Sequence, residues 1–206
     1  MIISFAHKFI FAAVPKTGTH AVRQALREHL GPEDIEQVRL FTEKKFPIPA
    51  LAALQHGHLS LDQVRPFLPA EQFADFFKFA FVRNPFDRFV SYCAFMTRFQ
   101  GQFAADPHRV MRSHIANPPW HKILFQPQST FLTDASGKLL TGYLGRVEDM
   151  QQSYDEIAAR IGIPSAQLEK VNASTRGDYR SYYTPDLVEG VAKLYARDLE
   201  LFGYEF

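Results

Sequence analysis

The chain has 206 residues, a formal net charge of +1 at pH 7, and 46% hydrophobic against 22% charged residues. These values are those of a soluble globular protein, and we expect one domain over residues 1–206 that buries a substantial core. A nearly neutral chain is not a strongly basic nucleic-acid binder, and no stretch approaches the length of a membrane span. The single cysteine, Cys93, cannot form an internal disulfide, which fits a reducing compartment.

The first predicted elements are strands at 2–6 and 9–14 and a helix that begins near residue 19. The run from Phe9 to Val14 is apolar and has the length of a buried strand. Apolar residues at helical spacing follow at Val22, Ala25, Leu26 and Leu30. The segment between them, Pro15-Lys16-Thr17-Gly18-Thr19-His20, is therefore expected at a helix start, where unpaired N–H groups and the helix dipole favour an anion.

The side chains of this segment suit a phosphate group. Gly18 lets the backbone approach a ligand, Lys16 adds a positive charge, and Thr17 and Thr19 add hydroxyl donors. His20 is expected to be neutral, because the positive end of the dipole disfavours a protonated ring, and the neutral ring could still donate to a bound anion and position it. The longer pattern G-x-x-x-x-G-K-[ST] is absent from the chain. The alternative is a structural strand-to-helix turn capped by threonine.

A histidine pair follows at Gln55-His56-Gly57-His58, ahead of a helix predicted to begin near residue 60. Histidine is a suitable general base because its unperturbed pKa, about 6.5, lies near working pH. Three interpretations stay open. The pair could belong to a metal site, although Asp, Glu or Cys at companion spacing is missing; it could be two structural loop histidines; or one histidine could be the base, with Gly57 permitting close approach.

A second anion-binding segment is predicted after the strand at 77–82. Asn84 suits a helix N-cap and Pro85 the first helical position, so Arg83 is expected at the carboxyl end of the strand. Ligands of open α/β sheets bind beyond such strand ends, and an arginine offers a planar fork to a phosphate. Ser91, about two turns into the helix, offers a hydroxyl on the same side as Arg88. The alternative is a salt-bridged arginine and a buried helical serine.

Residues 98–136 show little periodicity and are predicted to be irregular. Between 98 and 122 the cations outnumber the one acid, Asp106, and aromatic residues stand among them. The residues concerned are Arg98, Phe99, Phe103, Arg109, Arg112, Trp120 and Lys122, together with His108, His114 and His121. Such a segment suits an anionic or sugar ligand, and the alternative is a solvated loop with a few core anchors.

The last predicted elements are a strand at 141–147, a helix from Asp149 to Gly162, and a helix that begins at Pro185 with Thr184 as its cap. Alternating strands and helices predict an α/β fold. We expect a three-layer, doubly wound, mainly parallel sheet with a P-loop-like phosphate-binding loop at 15–20.

The two anion-binding segments resemble those of the sulfotransferases that use 3′-phosphoadenosine 5′-phosphosulfate (PAPS), in particular the carbohydrate O-sulfotransferase branch. Residues 15–20 match the P-K-T-G-T segment of that family, and residues 81–91 match its [FV]-V-R-[ND]-P-x-x-R-x-x-S segment. The resemblance continues through Trp120, Pro127-Gln128, Gly145-Arg146-Val147-Glu148, Asn172-Ala173-Ser174, Tyr182-Tyr183-Thr184 and Phe202-Gly203-Tyr204. It implies that residues 15–20 bind the 5′-phosphosulfate and that Arg83 and Ser91 bind the 3′-phosphate.

The resemblance implies further roles. Lys16 would stabilise the leaving oxygen. The H-G-H segment is similar to that of the uronyl and heparan sulfate 2-O-sulfotransferases, in which a histidine is the proposed base, and we favour His58 over His56. Arg176, in the polar loop 172–179, is a candidate for closing over the nucleotide. No metal is expected, because Arg83 occupies the position where a carboxylate ligand of Mg²⁺ would stand.

The predicted function is transfer of a sulfuryl group from PAPS, the co-substrate, to a hydroxyl of a carbohydrate-type acceptor, with an anionic acceptor among the possibilities. Golgi relatives carry a membrane anchor and stem that this sequence lacks, so we expect a cytoplasmic enzyme. A small-molecule kinase using ATP and a non-catalytic nucleotide-binding module are the alternatives. The missing Mg²⁺ carboxylate argues against the kinase, and the intact Lys16 and histidine pair argue against the module. The sequence predicts no oligomeric state.

Overall fold

The computed structural model of the protein describes residues 1–39, 44–45, 47–169 and 177–206. The contacts between residues divide the chain into two compact units, Met1–Val82 with Thr130–Val171 and Arg83–Ser129 with Asn172–Phe206. Each unit has a hydrophobic core of its own. The single domain over residues 1–206 stays a prediction.

The described residues form short strands and many helices. The strands are β1 (Ile2–Ser4), β2 (Phe9–Ala12), β3 (Ile35–Glu36), β4 (Val38–Arg39), β5 (Lys44–Lys45), β6 (Phe77–Val82) and β7 (Tyr143–Arg146). The α-helices are α1 (Thr19–Arg27), α2 (Pro49–Ala52), α3 (Leu61–Val64), α4 (Ala70–Asp75), α5 (Pro85–Met96), α6 (Gln102–Ala105), α7 (Pro107–Ala116), α8 (Ser129–Leu132), α9 (Met150–Ile161), α10 (Pro185–Leu194) and α11 (Ala196–Phe202). Short 3₁₀-helices lie at Arg65–Phe67, Val147–Asp149 and Tyr179–Tyr182.

The first unit is built on a five-stranded sheet in the order β3-β1-β2-β6-β7. The neighbours β2, β6 and β7 run parallel, which confirms the predicted α/β fold with a mainly parallel sheet. The strand β1 is antiparallel to both β2 and β3. Four residues separate β1 from β2, too few for the crossover that a parallel pair needs. The expected strand at 2–6 ends at Ser4, whose hydroxyl donates to Asp34 Oδ2 at 2.7 Å.

The central strands are buried on both faces over Phe9–Ala12 and 79–82, as these apolar runs predict. Phe9, Phe11, Phe79 and Phe81 alternate with Ile10 and Ala80, and all six are fully buried. The phenylalanine face packs against α1 and α9. Since β2 and β6 are parallel, their carboxyl ends lie at the same edge of this sheet.

The predicted helix starts near 19, 60, 85, 149 and 185 are confirmed by α1, α3, α5, α9 and α10. The helix α9 stops at Gly162, whose φ of 71° is the left-handed conformation expected of a C-terminal glycine. The last helix is interrupted at Tyr195, between α10 and α11. Thr184 is the N-cap residue of α10 as predicted, but its hydroxyl donates to Asp186 Oδ1 at 2.5 Å and makes no bond to the helix backbone.

The expectation that residues 98–136 are irregular is wrong. They contain α6, α7 and α8. The helix α7 begins with a local signal, because the Asp106 side chain accepts from the Arg109 N–H at 2.9 Å and Pro107 takes the first position. In the second unit α5, α7 and α10 pack together around a core that includes Phe89, Phe125 and Tyr195.

No helix in the described part of the chain is long and apolar enough to cross a membrane.

Candidate functional site

The predicted phosphate loop follows β2 directly and is closed by its own hydrogen bonds. The Val14 N–H donates to the Ala12 carbonyl at 3.0 Å, and the Thr17 hydroxyl donates to the Val14 carbonyl at 2.9 Å. Thr17 and Thr19 are both buried. The Thr17 hydroxyl, predicted as a donor to the ligand, therefore gives its proton to the loop in this structure and stabilises the turn.

Two residues of this loop have left-handed backbone conformations. Lys16 has φ of 67° and Gly18 has φ of 69°. The conformation costs little for Gly18 but strains Lys16, so the surrounding structure must hold it. Gly18 is also the N-cap residue of α1, and a Cβ added to it would lie 2.7 Å from Met150 Cε. The glycine predicted for close approach is thus required by the loop itself.

His20 is an exposed residue in the first turn of α1. Desolvation of its ring lowers the pKa of His20, and the charges of Arg23, Arg27 and Lys16 lower it further. Partial desolvation and the three cations thus favour the neutral ring that the helix dipole predicts.

Arg23 is a buried cation in α1. Its Nε lies 3.4 Å from Glu36 Oε1, and Arg27 Nε donates to Glu36 Oε2 at 2.9 Å. Burial lowers the pKa of Arg23 to about 10, so the guanidinium remains protonated at neutral pH. Its charge lowers the pKa values of both His20 and His58.

The structure places His58 against the base of the phosphate loop. Its Nδ1 lies 2.7 Å from the carbonyl oxygen of Ala13, the residue after β2. A carbonyl only accepts, so Nδ1 carries the proton and Nε2 carries the lone pair of the neutral ring. Burial lowers the pKa of His58 to about 3, so the ring is neutral at physiological pH and Nε2 carries no proton.

His56 lies beside His58 but has no such attachment. The two ring centroids are 6.4 Å apart. The His56 carbonyl accepts from Gln37 Nε2 at 3.2 Å, whereas its buried Nδ1 has no hydrogen-bond partner among the described residues. Desolvation is the main cause that lowers the pKa of His56. The geometry therefore ties His58, and not His56, to the loop that contains Lys16.

The second anion-binding segment opens the second unit. Arg83 is the first residue after β6, and its Nε donates to Asp87 Oδ2 at 2.7 Å. The Asn84 side chain accepts from the Phe86 N–H at 3.0 Å, which confirms the predicted cap of α5. Asn84 Nδ2 donates to the Glu205 carbonyl at 2.8 Å and to the Tyr179 hydroxyl at 3.2 Å.

Ser91 lies on α5 as predicted, and it is buried. Arg88, which the sequence groups with it, is directed to the protein interior. Its Nη2 donates to the carbonyls of Leu124 and Gln126 at 3.2 and 2.8 Å, and burial lowers the pKa of its guanidinium. These bonds show that Arg88 holds the backbone segment 124–126.

Sequence analysis missed one side chain at this segment. Gln128 is fully buried, and both ends of its amide bond to the backbone of Arg83. The motif Pro127-Gln128 carried part of the family resemblance, but nothing in the local sequence indicated its partner. The predicted nucleotide contact Arg176 lies outside the described residues, as do Asn172, Ala173 and Ser174.

The basic segment divides into anchored and exposed residues. Trp120 packs against Phe125, Phe103 packs against Tyr182, and the ring of His114 bonds to the Val110 carbonyl. Phe99 is 87% exposed, and the Arg98 guanidinium lies over its ring at 4.2 Å. A groove of about 450 Å³ adjoins Arg98 and is also lined by Thr97, Phe103 and Tyr182. Core anchoring accounts for several aromatics, while Arg98 lines an open groove and the next residue, Phe99, is exposed to solvent.

Comparison with known proteins identifies the family. The model described as the Sulfotransferase family matches residues 1–205. The chain belongs to this family. A search of the curated proteins finds no match to this sulfotransferase, and a search of the solved structures finds none either. Among the residues that the structure describes, no group of three or more His, Cys, Asp or Glu side chains could hold a metal ion.

Family membership makes the chain an enzyme that transfers a sulfuryl group to an acceptor. Such a transfer needs in-line geometry, stabilisation of the leaving oxygen and a base for the attacking hydroxyl. The first unit of this sulfotransferase contains residue types for the last two requirements, a lysine in the loop after β2 and a neutral histidine bonded to the base of that loop.

Proposed function

We propose that this sulfotransferase uses PAPS as donor and transfers its sulfuryl group to a hydroxyl of a carbohydrate-type acceptor. The observation that carries the proposal is the bond from His58 Nδ1 to the Ala13 carbonyl. It anchors a neutral histidine, with its lone pair on Nε2, to the loop that contains Lys16 and Gly18. A base and a cation joined to one phosphate-binding turn match the needs of sulfuryl transfer better than those of a binding module.

The proposed donor contacts come from both anion-binding segments. Backbone N–H groups at the start of α1, with Lys16, Thr17, Gly18, Thr19 and His20, would hold the 5′-phosphosulfate. Arg83 and Ser91 would hold the 3′-phosphate. The bond from Arg83 Nε to Asp87 supports this role because it orients the guanidinium before a ligand arrives. Arg176 remains the proposed contact that closes over the nucleotide.

In the proposed reaction the acceptor oxygen attacks sulfur while the bond from sulfur to the phosphate oxygen breaks. The proton of the acceptor hydroxyl passes to His58 Nε2. The Lys16 ammonium stabilises the negative charge that develops on the leaving phosphate oxygen. A nearby anion raises the pKa of a histidine, so the donor's negative charge would make His58 a stronger base than it is without a ligand.

The proposed acceptor is a saccharide, and an anionic one fits best. The H-G-H segment and its similarity to the uronyl 2-O-sulfotransferases support a uronic acid unit. The groove beside Arg98 supports it as well, since one arginine and two aromatic residues, Phe103 and Tyr182, line it. Phe99, exposed next to Arg98, offers a further apolar surface for sugar C–H groups.

The test is transfer of labelled sulfuryl from PAPS to a panel of neutral, uronic acid and sulfated saccharides, in EDTA, with mass spectrometry of the products. We expect an O-sulfated product, with His58→Ala and Lys16→Ala nearly inactive and the exposed-residue variant Gln63→Ala fully active. Products sulfated on nitrogen would contradict O-sulfation. Phosphorylated products formed only with Mg²⁺ and ATP would replace the proposal with a kinase.

A further inference from the structure

Gln128 forms a two-point attachment to the backbone of Arg83. Its Oε1 accepts from the Arg83 N–H at 2.9 Å, and its Nε2 donates to the Arg83 carbonyl at 2.8 Å. The side chain is 0% exposed, so both bonds lie away from water. Arg83 lies one residue beyond β6, and the Gln128 amide gives its backbone N–H and carbonyl the hydrogen-bond partners that a neighbouring strand would otherwise supply.

Gln128 is itself held by a buried carboxylate. The Gln128 N–H donates to Asp198 Oδ2 at 2.7 Å, and the Ser129 N–H donates to Asp198 Oδ1 at 2.8 Å. Asp198 belongs to α11 and is fully buried. On the other side, Arg88 binds the carbonyls of Leu124 and Gln126. The segment that presents the Gln128 amide is therefore fixed at both ends.

These contacts fix the backbone of Arg83 and the direction of its side chain before any ligand binds. Gln128 sets the backbone on both sides of the Cα atom, and Asp87 accepts from the side-chain Nε. An arginine held at its backbone and at Nε loses less conformational freedom when its fork meets an anion, which favours binding. A buried amide could also serve stability alone, so the decisive observation must separate anion binding from folding.

We propose that Gln128, held by Asp198, is a positioning residue that aims Arg83 at the 3′-phosphate of the donor. The inference rests on the proposed function, in which Arg83 binds that group. It predicts that Gln128 acts on affinity only for nucleotides that carry a 3′-phosphate. It also predicts that the effect of Gln128 disappears when Arg83 is absent.

The experiment measures dissociation constants for adenosine 3′,5′-bisphosphate (PAP) and for adenosine 5′-phosphate by calorimetry. The proteins are wild type, Gln128→Met, Arg83→Ala and the double variant. Loss of the two bonds should weaken PAP binding by about tenfold or more in Gln128→Met. Binding of adenosine 5′-phosphate should change by less than about twofold, and Gln128→Met should add nothing to Arg83→Ala.

Two further variants separate positioning from folding. Met111→Ala removes a fully buried side chain of α7 from the core of the same unit. We expect it to lower stability and leave the ratio of the two affinities unchanged. Gln128→Glu keeps the size and one acceptor of Gln128, so it replaces Gln128→Met if that variant does not fold.

The outcomes separate failure of the positioning role of Gln128 from failure of the assignment of Arg83 to the 3′-phosphate. Equal weakening of both nucleotides by the Gln128 variants, or a full Gln128 effect in the Arg83→Ala background, would show that Gln128 serves only the fold. If wild type binds PAP no more tightly than adenosine 5′-phosphate, or if Arg83→Ala leaves that preference intact, the assignment of Arg83 to the 3′-phosphate fails first.

Discussion

The hydrogen bond between His58 and Ala13 decides which nitrogen of that histidine is basic. Nδ1 gives its proton to the carbonyl at 2.7 Å, so only Nε2 can accept another. The same bond ties the ring to the residue that leads from β2 into the phosphate loop. Selection of one tautomer and attachment to the loop thus come from a single contact, and the neighbouring His56 lacks it in the described structure.

Removal of this ring should affect turnover and spare nucleotide binding. We expect His58→Ala to lower kcat by at least about a hundredfold, the range for loss of a general base, with the affinity for PAP unchanged. His56→Ala should lower kcat by less than about tenfold. Initial rates with saturating PAPS and calorimetry with PAP provide the two measurements. Retained turnover in His58→Ala would move the base to another residue.

The depressed pKa of His58 predicts how stability changes with pH. The folded-state pKa of about 3 lies below the unfolded value near 6.5, so the unfolded chain binds more protons between these values. The contribution of His58 to the free energy of unfolding should therefore be fully present above about pH 6.5 and should decrease as pH falls toward 3. The variant His58→Asn keeps a donor for Ala13 but has no titrating ring. Its melting temperature should fall less than that of wild type between pH 7 and pH 4, and an equal fall would contradict the assignment.

At the scale of elements, the loop between β2 and α1 depends on Gly18 in two ways. The left-handed φ of 69° disfavours any other residue by about 1–2 kcal/mol, and an added Cβ would also meet the side chain of Met150. The helix α9 carries Met150, so this contact joins the loop to a neighbouring helix of the same unit.

The matched control for this loop is Gly162, which has φ of 71° and nothing within 4 Å of an added Cβ. Gly162→Ala should therefore show the conformational cost alone. We expect Gly18→Ala to lower the free energy of unfolding in urea more than Gly162→Ala does. Adding Met150→Ala to Gly18→Ala should recover only the difference between these two losses. Equal costs at the two glycines would show that the contact with Met150 has no energetic weight.

Local chemistry made much of the architecture predictable. Apolar runs, interrupted in β6 only by Lys78, predicted β2 and β6, and the pair Asn84-Pro85 predicted the start of α5. Asp106-Pro107 is also an N-cap residue followed by proline, but the polar sequence around it shows little helical periodicity, so α7 was not predicted. The bonds from His58 to Ala13 and from Gln128 to Arg83 each join residues 45 positions apart, and no local pattern encodes such a contact.

At the scale of the whole molecule, the family match covers residues 1–205 and so includes residues of both compact units. The loop with Lys16 belongs to the first unit and the segment with Arg83 to the second. If PAPS is the donor, variants in either unit should weaken the same nucleotide. A kinase or a generic nucleotide binder gives no reason for Arg83 to discriminate between nucleotides by their 3′-phosphate.

The most direct test of this account is thermal stabilisation by PAP in EDTA, compared with ADP and with ATP in the presence and absence of Mg²⁺. Ligand at a hundred times its dissociation constant should add about 2.7 kcal/mol to the free energy of unfolding, a readily measured shift. We predict a metal-independent shift that is specific to PAP and is lost in Arg83→Ala and weakened in Lys16→Ala. A shift seen only with Mg²⁺ and ATP, or no shift with PAP, would contradict the proposed use of PAPS.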